Sequence, residues 1–112
     1  MIDSHRFGLM IIGGRQYTAD LKIIDGVVVP EWWRREGHSI CVEDIADIAA
    51  AKPDILILGT GVYGLMKVPE RFKRQLESLG IELLAEPTEK AVALYNQLHG
   101  ERNVAAGFHL TC

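Results

Sequence analysis

The run Ile55-Leu56-Ile57-Leu58-Gly59-Thr60-Gly61-Val62-Tyr63-Gly64 decides the fold that we predict for this sequence of 112 residues. Its first four side chains are all apolar, which is typical of a strand that helices cover on both faces. Glycines follow at once, and ligands of α/β sheets bind beside loops at the carboxyl ends of such strands. We therefore expect a buried strand over residues 55–58 and a loop of functional interest over residues 59–64.

Helix and strand patterns alternate after this glycine loop. Pro69 is placed to open a helix, since a proline in the first turn loses no hydrogen bond. Thr88 is placed to cap the next helix with its hydroxyl. The apolar residues that the two helices are expected to bury are Phe72, Leu76 and Leu79, and then Ala91, Val92, Tyr95 and Leu98. The predicted strands that follow these helices span residues 81–85 and 104–108.

The first half of the chain predicts β-hairpins and one helix. Gly13-Gly14 and Asp25-Gly26 are typical of tight two-residue hairpin turns. The predicted elements are strands over residues 7–12, 21–24 and 27–29 and a helix over residues 42–51. Together these patterns predict one domain over residues 1–112. Its class is a three-layer α/β fold, in which helices flank a mixed central sheet and the N-terminal part is a β-hairpin meander.

Composition narrows the classes of function. Fifteen acidic residues against twelve basic ones give a net charge of −3, which disfavours a dedicated nucleic-acid-binding protein. No apolar run is long enough to span a membrane, and the first residues do not resemble a secretory signal, so we expect a cytoplasmic protein.

Cys41 and Cys112 are expected to be free thiols. The cysteine and histidine spacings indicate no metal site, and we expect no cofactor.

The glycine loop matches the G-x-G-x-x-G pattern, and Glu86 follows at the spacing of the acid that binds a ribose in dinucleotide-binding proteins. In those proteins the glycines open directly into a helix. Here residues 65–68 intervene, and Pro69 disfavours a helical conformation for the residue before it. The pattern therefore does not predict dinucleotide binding. Leu65 also stands where a phosphate-binding loop of the Walker type needs lysine.

A weaker interpretation of the same loop is a site for a small anion. The backbone N–H groups of a glycine turn can hold a carboxylate or phosphate, and Lys67 would add positive charge. The alternative is that the glycines only permit a tight turn and that Lys67 is solvated. The candidate ligand-binding residues here are Gly59, Thr60, Gly61, Tyr63 and Lys67.

The segment Pro30–Ser39 is the second candidate. Two adjacent tryptophans cannot easily both be buried in one regular element, so we expect one of them at a surface, where tryptophan and arginine are enriched in binding sites. The alternative is that a tryptophan covers the edge of the core and the arginines are solvated. A histidine next to a serine in sequence is not a catalytic pair, and we predict no catalytic residues. The candidate ligand-binding residues here are Trp33, Arg34, His38 and Ser39.

Several short motifs, in their joint order along the whole chain, resemble those of the Mth-type family of domains of unknown function. The motifs are Pro30-Glu31-Trp32-Trp33-Arg34, Gly37-His38-Ser39, Leu58-Gly59-Thr60-Gly61, Lys67-Val68-Pro69, Glu86-Pro87-Thr88, Tyr95-Asn96 and His109-Leu110-Thr111-Cys112. The animal members of that family include an adipogenesis-associated Mth-domain protein and a mitochondrial complex I assembly factor. The resemblance implies the three-layer fold, and it implies no established activity, cofactor or catalytic residue. The first residues do not resemble a mitochondrial transit peptide, so we do not extend a mitochondrial role to this chain.

Two hypotheses of function follow. The first is a protein-interaction or assembly module without catalysis, which binds an unknown protein partner. The second is a protein that binds a small anion or metabolite, with an enzymatic role left open, and that uses residues 59–64 and 32–39. We favour the first because the sequence has no catalytic constellation. A homodimer is the default assembly for a small protein of this kind.

Overall fold

Eight β-strands in two sheets and three α-helices make up the fold, which a computed structural model describes for all residues from 1 to 112. The strands are β1 (Ile2–Arg6), β2 (Leu9–Ile12), β3 (Arg15–Tyr17), β4 (Leu21–Ile24), β5 (Val27–Val29), β6 (Ile55–Thr60), β7 (Glu82–Glu86) and β8 (Val104–His109). The helices are α1 (Ala46–Ala51), α2 (Glu70–Ser78) and α3 (Thr88–Leu98), and a 3-10 turn spans Val42–Ile45.

The central sheet is mixed. Its five strands lie in the order β5-β4-β8-β6-β7, in which β8, β6 and β7 are parallel and β4 is antiparallel to both of its neighbours. The other sheet is an antiparallel meander of β1, β2 and β3. The predicted fold class is therefore confirmed: a mixed central sheet with helices and an N-terminal hairpin portion.

The central strand β6 is covered on both faces of the sheet, which gives the fold its three layers. Successive side chains of a strand point to opposite faces of its sheet. Ile55 and Ile57 accordingly pack with the buried residues of α3 and of the small sheet. Leu56 and Leu58 pack on the other face with Phe72 of α2 and the residues of the 3-10 turn and α1. Both faces of β6 are thus buried, as its continuous apolar run predicts.

Both predicted hairpin turns are present. Gly13 and Gly14 have φ angles of 56° and 80°, and Asp25 and Gly26 have φ angles of 52° and 75°. Two successive left-handed residues make the hairpin turn that matches the twist of antiparallel strands. The turns fix the registers of β2 with β3 and of β4 with β5.

Two predicted elements of the first half were wrong in extent. Residues 7–12 are not one strand, because Phe7 and Gly8 form a turn between β2 and an additional strand, β1. Apolar alternation gave no sign of β1, since most of its side chains are polar and exposed. The helix predicted over residues 42–51 divides into the 3-10 turn and α1, because the carboxylate of Asp44 accepts the N–H groups of Arg35 and Cys41 and tightens the first turn.

Two predicted roles in the second half were also wrong. Leu79 is exposed rather than buried, because α2 ends at Ser78 and Gly80 turns the chain away from the core. Thr88 does not cap α3: it is the first helical residue, and Pro87 precedes the helix in extended conformation.

None of the α-helices has the length and apolar character that a membrane-spanning helix requires.

Candidate functional site

The ends of β6 and β8 define one edge of the central sheet. Thr60, the last residue of β6, lies beside His109, the last residue of β8. Strand β4 begins at the same edge, because Leu21 pairs with Phe108. We call this region, made of Thr60, Gly61 and residues 109–112 together with the side chains that contact them, the carboxyl edge.

A buried ionic cluster lies at the carboxyl edge. The Oδ2 atom of Asp20 is 2.7 Å from Nδ1 of His109 and 2.8 Å from Nη2 of Arg34, and its Oδ1 atom accepts the N–H of Leu110 at 2.8 Å. Only 3% of the Arg34 side chain is exposed, and its guanidinium lies 4.8 Å from the centre of the Trp32 ring. The cluster joins β4, β8 and the segment over residues 32–34.

Asp20 is ionised in this cluster. Burial alone would raise the pKa of Asp20, but the hydrogen bonds from His109, Leu110 and Arg34 outweigh burial and hold that pKa below its usual range. A carboxylate can only accept a hydrogen bond, so Nδ1 of His109 carries the proton and donates it to Asp20. The other ring nitrogen, Nε2, is buried and has no hydrogen-bond partner.

His38 and Cys112 lie next to this histidine. Nε2 of His38 is 3.3 Å from Sγ of Cys112, and the His38 and His109 rings meet edge to face with their centres 6.1 Å apart. His38 is held by its backbone: its carbonyl accepts the N–H of Lys67 at 2.7 Å, and the carbonyl of the preceding Gly37 accepts Nη2 of Arg34 at 2.8 Å. The two segments that the sequence singled out, 32–39 and 59–67, therefore meet at the carboxyl edge.

The glycine loop packs tightly against the end of the chain. Gly61 has a φ angle of 107°, and a Cβ atom at this position would lie 2.5 Å from the backbone carbonyl of Cys112. Only glycine fits both the conformation and the space. Six successive or nearly successive N–H groups of the loop donate hydrogen bonds within the chain, namely those of Gly61, Val62, Gly64, Leu65, Met66 and Lys67. Three of these bonds hold Thr111, Cys112 and His38, and the other three bind the loop to Thr88, Gly61 and Thr60.

The loop does not open directly into a helix, as the glycine loop of a dinucleotide-binding protein does. Helix α2 begins only at Glu70. The helix that begins beside the loop is α3, whose Thr88 accepts the Gly61 N–H at 3.0 Å and donates its hydroxyl to the His109 carbonyl at 2.7 Å. Thr88 therefore joins the ends of β6 and β8.

We expect the substitution Thr88→Val to lower the free energy of unfolding by about 1–3 kcal/mol, the cost of leaving buried polar groups without partners. Valine keeps the shape of threonine but removes the hydroxyl, so the Gly61 N–H and the His109 carbonyl lose their partner. Thr88→Ser is the matched control, since it retains the hydroxyl. Urea unfolding of both variants checks this, and equal stabilities would contradict the role of the hydroxyl.

The remaining candidate residues have different environments. Trp33 is 81% exposed and Trp32 is buried, which confirms that one of the two tryptophans lies at the surface. Trp33 lies along a shallow groove with Lys22, Pro30 and Glu43. Gly59 and Thr60 lie within the buried strand β6. Ser39 forms a β-bridge with Lys67, and Tyr63 is exposed. Ligand binding by this set stays a prediction.

Three residues of the cluster were not among the predicted site residues: Asp20, His109 and Cys112. The sequence could have indicated His109 and Cys112, because they lie at and after the carboxyl end of β8. This strand is parallel to β6, so its end lies at the same edge of the sheet as the glycine loop. No signal existed for Asp20. Its place depends on the antiparallel pairing of β4 with β8, which lies more than eighty residues away in sequence.

Fold and site together define a class of protein: a small three-layer α/β domain with a buried ionic cluster and a histidine–thiol pair at the carboxyl edge. The conserved hypothetical protein PH1505 from Pyrococcus horikoshii OT3 has this fold, with 28% identity, a TM-score of 0.85 and coverage of 100% of this chain and 99% of that chain. MT938 is 29% identical with a TM-score of 0.82, over 100% and 98% of the two chains. A Mth938-like domain from Bordetella pertussis shows the fold alone at 18% identity and a TM-score of 0.75, over 98% and 85% of the chains.

The chain belongs to the family described as protein of unknown function (DUF498/DUF598), whose sequence model matches residues 2–109. The resemblance to the Mth-type family that the motifs indicated is thereby confirmed. The family description states no activity. The function proposed for this chain therefore depends on the residues of its own surface.

Proposed function

We propose that the chain is a protein-binding module that docks a partner on an apolar patch of three side chains, Phe7, Tyr63 and Leu65. The observation that carries the proposal is their exposure, which is 55%, 69% and 58% respectively. Large apolar side chains that remain exposed side by side are typical of interaction surfaces. Aromatic residues are also enriched at the centres of such surfaces.

The patch is built on turns that the fold holds rigidly. The rings of Phe7 and Tyr63 lie with their centres 6.1 Å apart. The N–H of Gly8, next to Phe7, donates to the Leu110 carbonyl at 2.8 Å, and the N–H of Leu65 donates to the Cys112 carbonyl at 3.0 Å. Both turns are thus anchored to residues 110–112, which fixes their backbone before any partner binds. A preorganised surface loses little conformational entropy on association.

The charges beside the patch indicate the chemistry of the partner. Arg6 precedes Phe7 and Lys67 follows Leu65 by two residues, and both side chains are exposed without an ion pair. Opposite charges at the rim of an interface guide association and select partners. We therefore propose a protein partner that presents apolar side chains flanked by acidic ones.

Site-specific photocrosslinking in cells tests this proposal. A photoreactive amino acid at position 63 should give a small number of defined adducts with other proteins. The matched control is position 79, because Leu79 is a similarly exposed apolar residue, at 53%, that follows α2 at the opposite end of the sheet. Adducts should be absent from the control position. The adducts at position 63 should weaken at least about tenfold with Phe7→Ser, since loss of a hot-spot residue costs about 2 kcal/mol or more of binding.

The outcomes separate three cases. Defined heterotypic adducts that depend on Phe7 support the proposal. A single adduct of twice the chain mass would instead show that the patch joins two copies of this chain. Equal adducts from positions 63 and 79, or none from either, would overturn the assignment of the patch.

The alternative of a small-anion or metabolite site has less support from the contacts. The loop donors on which it depends are bonded within the chain, and the guanidinium of Arg34 is buried against Asp20. Lys67 remains exposed, and a single surface lysine binds anions weakly. We therefore place protein binding first.

A further inference from the structure

We propose that His38, His109 and Cys112 form a binding site for a zinc ion at the carboxyl edge. One donor atom from each of these residues lies within 4.8 Å of the other two. Nε2 of His38 and Sγ of Cys112 are 3.3 Å apart. This site goes beyond the proposed protein-binding function and does not depend on it.

The separations suit tetrahedral zinc. Bond lengths of about 2.0–2.1 Å to nitrogen and about 2.3 Å to sulfur place neighbouring tetrahedral ligand atoms about 3.5 Å apart. The His38–Cys112 separation is already close to that value. All three atoms lie within 4.8 Å of one another, so no separation must shorten by more than about 1.3 Å to reach the same geometry. His38 is exposed and Cys112 is half-buried, so rotation of these two side chains can supply that movement while His109 stays fixed.

The second, independent observation concerns His109. The residue is only 6% exposed, yet its Nε2 atom has no hydrogen-bond partner. A buried polar atom without a partner costs about 1–3 kcal/mol, so its retention needs an explanation. A metal ion bound to the Nε2 lone pair would provide the missing partner.

Asp20 prepares His109 for this role. The hydrogen bond from Nδ1 to Asp20 at 2.7 Å fixes the tautomer that leaves Nε2 free, and the carboxylate fixes the orientation of the ring. Histidine ligands of zinc commonly donate their other ring N–H to a carboxylate in this way. Asp20 is thus a positioning residue for the proposed site.

The chemistry of the donor set favours zinc. Two imidazole nitrogens and one thiolate are ligands that zinc binds well, whereas magnesium and calcium prefer oxygen. Three protein ligands leave one tetrahedral position open to solvent or to another ligand. The sequence predicted no metal site because no short ligand spacing is present, but here His38 and Cys112 lie 74 residues apart and meet only in the fold.

Zinc titration of the full chain tests the site. The chain, reduced, stripped of metal and carrying no C-terminal tag, is titrated with Zn²⁺ against a chromophoric chelator. We expect one zinc ion per chain. Co²⁺ is the second probe, and its complex should show the near-ultraviolet charge-transfer band of a cobalt–thiolate bond.

Variants locate the ligands. Loss of a residue that hydrogen-bonds a metal ligand weakens metal binding by roughly 10–100-fold. Loss of a ligand itself should weaken it at least as much, so we expect at least this factor for Cys112→Ser and for His38→Ala. Cys112→Ser should also abolish the cobalt–thiolate band. Asp20→Asn should weaken binding within that range while the band persists. Cys41→Ser is the matched control, since Cys41 is the other free thiol, and it should leave both readouts unchanged.

Three results would overturn the proposal: no stoichiometric zinc binding by the folded chain, zinc binding that survives Cys112→Ser unchanged, or a cobalt–thiolate band that is lost with Cys41→Ser instead. Circular dichroism of each variant without metal verifies that it is folded. Because His38 and Cys112 are not buried, their substitution should leave that spectrum unchanged.

Discussion

Asp20→Ala is expected to lower the free energy of unfolding by about 3–5 kcal/mol, the usual cost of removing one partner of a buried ion pair. The substitution leaves the guanidinium of Arg34 buried without its counter-charge. It also removes the acceptor for Nδ1 of His109 and for the N–H of Leu110. The contacts of β4 with the end of β8 lose their polar anchor. Urea unfolding at neutral pH measures the difference.

The effect of Asp20 should depend on pH with a defined sign. The folded state holds the pKa of Asp20 below its ordinary value of 3.8, so folding favours the ionised form. The stabilisation is therefore fully present above about pH 5, where the unfolded chain also has this carboxyl almost completely ionised. It is lost as the pH falls through the lower pKa of the folded state. The difference in stability between the wild type and Asp20→Ala should accordingly shrink in acid.

Asp20→Asn is the matched variant for this prediction. Its amide oxygen can still accept the Leu110 N–H, but the charge opposite Arg34 is lost. We expect a smaller loss than for alanine. The stability difference from the wild type should again shrink in acid, because the titrating carboxyl is absent from both variants. A loss below about 0.5 kcal/mol in both variants, the usual size for a surface substitution, would show that the cluster does not stabilise the fold.

Trp32→Ala is expected to cost about 3–5 kcal/mol of unfolding free energy, as large-to-small substitutions of buried aromatic residues do. The Trp32 ring packs so closely on Gly107 of β8 that a Cβ atom there would lie 2.9 Å from Cζ3 of the ring. Its Nε1–H donates to the Asp44 carbonyl at 2.9 Å, and the Arg34 guanidinium lies over its face. Alanine removes the packing, the hydrogen bond and the cation–π contact together.

Trp33→Ala is the control at the adjacent position. Its side chain is exposed, so the expected change in unfolding free energy stays within about 0.5 kcal/mol. Chemical denaturation followed by circular dichroism compares the two variants without relying on tryptophan fluorescence. Comparable losses at both positions would contradict the division of the pair into one core residue and one surface residue.

Much of the fold could be predicted from local patterns, and the misses have local causes. The apolar run of β6, the hairpin turns and the helix opened by Pro69 all follow from short-range sequence rules. Strand β1 gave no signal, because a polar edge strand lacks apolar alternation. Leu79 fits the helical spacing of the buried stripe, but it follows the end of α2, where that spacing no longer applies.

The candidate site was predictable only in part. The sequence indicated that residues 32–39 and 59–67 are of functional interest, and the two segments do meet through the backbone of His38 and Lys67. It did not indicate that the loop donors are satisfied within the chain. Hydrogen bonding of a loop depends on what packs against it, which here includes Thr111, Cys112, Thr88 and His38.

Most of the elements and the fold class of this protein follow from local sequence patterns, because turn chemistry and apolar periodicity act between neighbouring residues. The arrangement of side chains at the carboxyl edge depends instead on tertiary packing. There the pairing of β4 with β8 places Asp20 against His109, and the loop over residues 59–67 holds His38 beside Cys112. The physical reason is that strand order and long-range packing depend on the free energy of the whole sheet, which no local stretch of sequence contains.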